Sequence, residues 1–182
     1  SLSVQSGGMT VSKNTSYADQ TVVVPKTEYK VGSWTITANT TEDINLNQLD
    51  IDFETDEDEG DAVATTGYTN LYLMYGPSAD MVTSNTKTTV STVNQWSIDY
   101  SLGAGETIFV NAYANVSADA SAAEDDLDYI LGELSVSGIA SGGSGASVST
   151  DDVNGQTIYY YGSGSFTTAL DGSSAAALNA AG

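Results

Sequence analysis

Carboxylates are the side chains of this sequence best suited to chemistry. They crowd between positions 50 and 61, as Asp50, Asp52, Glu54, Asp56, Glu57, Asp58, Glu59 and Asp61. Calcium takes about six to eight oxygen ligands, and a carboxylate-dense segment can supply several of them. Asp50 and Asp52 alternate with Ile51 and Phe53, so in a strand their carboxylates share one face. The candidate calcium set is Asp50, Asp52, Glu54, Asp56 and Asp58. The run lacks the Asp-x-Asp-x-Asp-Gly spacing of an EF-hand, and the alternative is a solvated acidic loop. A second cluster, Glu124, Asp125, Asp126 and Asp128, carries the same two readings.

Catalysis is poorly provided for. The chain has no histidine and no cysteine, which removes the usual general base, the thiolate nucleophile and the usual zinc ligands. A pair of carboxylates can cleave a glycoside when an apolar setting keeps one of them protonated. Acids in hydrated runs do not meet that condition. Ser84-Asn-Thr-Lys87 fits the S-x-x-K pattern but lacks its partner motifs and its helix. The expectation is a protein that is not an enzyme and requires no cofactor.

Charge narrows the partners. The four lysines, Lys13, Lys26, Lys30 and Lys87, face 24 acids, arginine is absent, and the formal net charge is -20. Phosphate binding needs clustered basic residues, so nucleic acid and anionic membrane surfaces are excluded as partners. Copies of such a chain repel one another, and salt or divalent cations relieve the repulsion. Glycans enter through three sequons, at Asn14, Asn39 and Asn115, which permit N-glycosylation. Eleven tyrosines, three of them consecutive at Tyr159 to Tyr161, offer rings for a sugar platform or for packing. In a strand Tyr160 must face away from its two neighbours. Trp34 and Trp96 read as core residues.

The elements that hold these residues are strands. Thr21 to Val24 is a β-branched run stopped by Pro25. Tyr29 to Ala38 alternates with Val31 out of step, which places a bulge near Gly32. Ile44 to Phe53 breaks phase around Asn47-Gln48. Tyr68 to Tyr75 ends at Gly76-Pro77, and Val90 to Leu102 places Trp96, Ile98 and Tyr100 on one face. Gly103-Ala-Gly105 turns the chain into Thr107 to Val116, with Ile108, Val110, Ala112, Ala114 and Val116 on one face. Tyr129 to Ile139 follows, and Asn154-Gly155 predicts a type I′ hairpin turn between Val148 and Tyr159. Phe166 to Leu170 closes the set. Ten to twelve short strands at this spacing predict an all-β chain folded as a single, jelly-roll-like β-sandwich.

Two stretches resemble β-sandwich domains of secreted bacterial and archaeal cell-surface proteins. One runs from Val31-Gly-Ser-Trp-Thr-Ile through Asn45-Leu-Asn-Gln-Leu-Asp-Ile51. The other is Leu102-Gly-Ala-Gly-Glu-Thr-Ile-Phe-Val-Asn-Ala-Tyr-Ala114. The resemblance covers about residues 20–140 and implies a sandwich fold and an extracellular, cell-surface location, with no activity attached.

The N-terminus suggests how such a domain would work. Leu2, Val4, Met9 and Val11 form an extended segment split by Gly7-Gly8, ahead of the run at Val22. A lone strand needs partners for its backbone groups, and an open sheet edge has the complementary need. Residues 1–18 are therefore expected to be an extension able to act as a donor strand, with folding back onto its own domain as the alternative, 19–171 the sandwich and 172–182 a small-residue tail. The start at Ser1 without a leader reads as a mature form, and the missing long apolar N-terminal helix excludes a type IV pilin. The expected function is an extracellular structural subunit that assembles with copies of itself into a filament. The alternative is a surface adhesin or carbohydrate-binding module stabilised by calcium.

Overall fold

The computed structural model describes residues 7–54, 67–118 and 129–162. Twelve strands form among them: β1 (Met9–Lys13), β2 (Gln20–Val24), β3 (Lys26–Ala38), β4 (Ile44–Glu54), β5 (Tyr68–Gly76), β6 (Val82–Thr83), β7 (Lys87–Thr89), β8 (Val93–Leu102), β9 (Thr107–Val116), β10 (Tyr129–Ala140), β11 (Ser147–Ser149) and β12 (Val153–Gly162). They build two packed sheets. The first has the order β1-β3-β9-β5-β6, with β7 also on β5. The second has the order β2-β12-β10-β4-β8, with β11 also on β10. From β1 to β5, and again from β7 to β10, each step crosses to the other sheet, which is how a jelly roll winds. All neighbours are antiparallel except β2 and β12, which run parallel. The expected β-sandwich is thus the fold. No helix among the described residues is long and apolar enough to cross a membrane.

Alternation decides which side chains fill the gap between the sheets. Ile51 and Phe53 of β4 point inward, as do Ile108, Val110, Ala112, Ala114 and Val116 of β9. Trp34 and Trp96 are both buried. Phe53 stacks on Tyr68 at 5.4 Å, and Tyr68 meets Tyr160 edge-on at 5.8 Å. Tyr160 is buried, whereas Tyr159 and Tyr161 are 40% and 48% exposed. The register slips between Lys30 and Gly32 and between Leu46 and Gln48, where the sequence pattern loses phase.

The Asn154-Gly155 hairpin is not formed. Both residues lie inside β12, and β11 pairs with β10 instead. Trp34 is the reason. A Cβ at Gly155 would sit 2.6 Å from Trp34 Cζ2 and 2.8 Å from the carbonyl oxygen of Gly132, so glycine is required for close approach and not for a turn. Gly32 faces the same ring from β3. The indole lies fully buried in this glycine-lined slot, and its Nε1 donates to the Val153 carbonyl at 2.8 Å.

Candidate functional site

β1 is the element on which an assembly reading turns. It forms one edge of the first sheet and pairs with β3, Met9 opposite Ala38 and Lys13 opposite Trp34. The pairing is within the same chain. Val11 points inward and is buried, and Met9 packs partly buried against the core. Leu2 and Val4, the other two candidate assembly residues, lie outside the described residues. Gly7 and Gly8 fit tight places beside the sheet. A Cβ at Gly7 would stand 3.0 Å from Ala140 Cβ, and the Gly8 carbonyl accepts from the Asn39 amide at 2.8 Å.

The segment after β1 is anchored. Gln156 is fully buried, and its Oε1 accepts from the Ser33 amide at 2.8 Å. Its Nε2 reaches the carbonyls of Asn14 at 3.0 Å and Tyr17 at 2.9 Å. Ser33 Oγ in turn donates to Asn111 Oδ1 at 2.7 Å and accepts from Asn14 Nδ2 at 3.0 Å. Tyr17 donates its hydroxyl to the Lys30 carbonyl at 2.7 Å, and Lys30 Nζ lies 4.8 Å from the Tyr17 ring centre. Burial pushes the Tyr17 phenol well above its ordinary range. Sequence reasoning missed this network. The available signal was that Gln156 shares the inward phase of Ile158 and Tyr160, a polar residue in core register.

The second sheet carries the acids. Asp50 and Asp52 project from the outer face of β4, as expected from their alternation with Ile51 and Phe53. Asp50 stands opposite Ser135 and Gln95, and Asp52 opposite Glu133 and Val93. Gln48 Nε2 donates to Asp50 Oδ2 at 2.6 Å. Glu54 ends the strand, while Asp56, Asp58 and the cluster from Glu124 to Asp128 lie outside the described residues. No group of three or more acidic side chains among the described residues is placed to hold a metal ion.

The three sequons differ in their freedom. Asn14 donates from its amide nitrogen to Ser33 Oγ at 3.0 Å, so that nitrogen is already engaged in the buried network. Asn39 uses its Oδ1 to accept from the Thr41 amide at 3.2 Å. Asn115 sits within β9 and accepts from the Glu28 amide at 2.9 Å. Beyond these, the rim of the second sheet carries an apolar patch. Val23, 54% exposed on the edge strand β2, is in register with Tyr161 of β12.

No protein-family model matches the chain, and no curated protein matches it. Among solved structures it is similar to part of a family 123 glycoside hydrolase from Clostridium perfringens, studied for glycolipid glycan hydrolysis. The TM-score is 0.40 at 10% identity, over 86% of this chain and 27% of that enzyme. A similarity so distant and partial says nothing about chemistry here.

Proposed function

We propose that the chain is an extracellular structural subunit that joins to copies of itself on a cell surface, by exchange of its N-terminal strand, and performs no catalysis. The observation that carries this reading is β1, a five-residue edge strand that inserts Val11 into the core. In the exchanged form β1 of one copy takes the same place beside β3 of the next. Every ladder bond and the Val11 packing are then remade by an identical strand, so exchange costs little beyond hinge adjustment and association entropy. A head-to-tail exchange need not close on itself and therefore builds filaments. The exposed row of Val23, Tyr159 and Tyr161 supplies apolar surface for a lateral contact. With 24 acids per subunit, salt favours the polymer, and calcium drawn to Asp50 and Asp52 would act in the same direction.

Protein lacking residues 1–13 is expected to stay folded, to melt at a lower temperature and to remain monomeric in light scattering and electron micrographs. A peptide of residues 1–13 added in trans restores the melting temperature. Filaments formed equally well by the shortened protein would overturn the mechanism, as would a full chain that stays monomeric at every concentration and salt level.

A further inference from the structure

The outer face of the first sheet carries a feature that assembly does not explain. β9 is flanked at one level by two bulges. In β3 the register slips between Lys26 and Tyr29, opposite Ala114 to Val116. In β5 it slips between Thr69 and Tyr72, opposite Tyr113 to Asn115. Each bulge holds a non-glycine residue at positive φ, Glu28 at 47° and Asn70 at 54°, and among the described residues these are the only two. Asparagine tolerates this conformation, but for glutamate it costs on the order of 1 kcal/mol. Strain retained at two adjacent points calls for a reason in what those side chains do.

Both strained residues face one open cleft of about 520 Å³, lined by Thr27, Glu28, Asn70, Tyr72, Thr86 and Asn115. That volume falls within the roughly 300–1,000 Å³ usual for small-molecule sites. Tyr72 is its aromatic wall among the described residues. Behind it Tyr113 stacks nearly parallel, 5.4 Å away at 12°, and Lys30 Nζ lies 5.9 Å from the Tyr113 ring centre. The Tyr72 ring is therefore fixed from behind. Asn115 Oδ1 is held by the Glu28 amide, which fixes the floor as well.

We infer that this double-bulge cleft is a saccharide-binding site. A rigid tyrosine face suits the apolar face of a pyranose ring. A carboxylate, two carboxamides and two threonine hydroxyls around it suit the ring's hydroxyl groups, which both donate and accept. Nucleobases also stack on tyrosine, but Glu28 and the net charge of -20 repel the phosphates that accompany them. Sugar binding here is independent of how the subunits assemble. The sugar is either part of a separate polysaccharide or a glycan carried on Asn115 of the chain itself.

The test is an amide-resolved NMR titration of the full, unglycosylated chain with cellotetraose, chitotetraose and mannotetraose, each up to about 10 mM. At least one is expected to shift the amides of Glu28, Asn70, Tyr72 and Asn115 saturably. Tyr72→Ala is expected to weaken that binding by about tenfold or more. Asn70→Gly and Glu28→Gly relieve the backbone strain, so both fold at least as stably as the parent while binding several-fold more weakly. Peptide mass mapping of the native protein separates the two sources, since a glycan on Asn115 adds saccharide mass to the peptide containing it. Absence of cleft shifts with all three sugars, unchanged affinity in both glycine variants, or saturation by a single-stranded oligonucleotide instead would overturn the inference.

Discussion

β1 and the loop that follows it are neighbours in sequence held by opposite means. β1 lies at a sheet edge, alternates exposed and inward residues, and is attached by a backbone ladder and one buried valine. The loop from Asn14 to Asp19 is tied by side chains that belong to the interior. Gln156 holds two of its carbonyls, Ser33 holds Asn14, and Asp19 accepts from Lys13 Nζ at 2.7 Å and from the Thr157 amide at 3.1 Å. A ladder at an edge can be replaced by the same ladder from another copy. A buried polar network cannot be lost cheaply, because each unsatisfied group costs its desolvation. The border between the exchangeable and the fixed part therefore falls at Lys13-Asn14.

The sharpest way to break this contrast is at the base of the fixed part. Gly155→Ala drives a methyl group against Trp34 and the Gly132 carbonyl, neither of which has room to move. It is expected to cost about 3 kcal/mol or more, read as a large fall in denaturant midpoint or as failure to fold. A loss below about 1 kcal/mol would show that the glycine slot is loose.

Gln156→Leu and Val11→Ala compare the two attachments directly. The leucine keeps the volume but leaves the Ser33 amide and the Tyr17 carbonyl without this partner, while the Asn14 and Ser33 carbonyls keep only the backbone amides of Tyr17 and Asn14, for an expected loss of about 2–3 kcal/mol. Val11→Ala removes two methyl groups at the edge and is expected to cost about 1–2 kcal/mol. Hydrogen exchange should then open residues 14–19 in the first variant and residues 9–13 in the second. Equal opening of both segments in either variant would erase the border.

The smallest effect is expected at the ion pair spanning the border. Lys13 and Asp19 are 37% and 52% exposed, so Lys13→Ala should cost no more than about 0.5 kcal/mol and less in high salt. The hydrogen bond from Lys13 holds the Asp19 carboxyl below its ordinary value of 3.8. Its contribution is present above that value and fades as pH falls through the lowered one. An NMR titration of Asp19 in Lys13→Ala should show its pKa rising toward the ordinary value.

Much of this architecture is written in residue order. Pro25 ends β2, glycines turn the chain before β9, and the phase breaks near Gly32 and Gln48 fall where register slips. These are local effects, set by backbone sterics and by which face of a strand must leave water. Trp34 and Trp96 belong to the core because their area is costly to expose. Asp50 and Asp52 share the outer face because period-two alternation leaves no other choice.

Residue order misleads where a distant group sets the rule. Asn154-Gly155 carries the strongest local hairpin signal in the chain, yet it lies within a strand because Trp34, more than a hundred residues earlier, takes the space a Cβ would fill. Gln156 has no local partner at all, and its role exists only once Asn14, Tyr17 and Ser33 are brought to it. The Tyr159 to Tyr161 run follows its alternation, with Tyr160 inward and its neighbours outward, but nothing in residue order stacks Tyr72 on Tyr113 on the other sheet. The sequence alone settled which residues face in and which face out, because that depends on neighbours two positions away. Which residues meet was settled only by the tertiary structure, because strands far apart in the chain become adjacent only when both sheets close over one core.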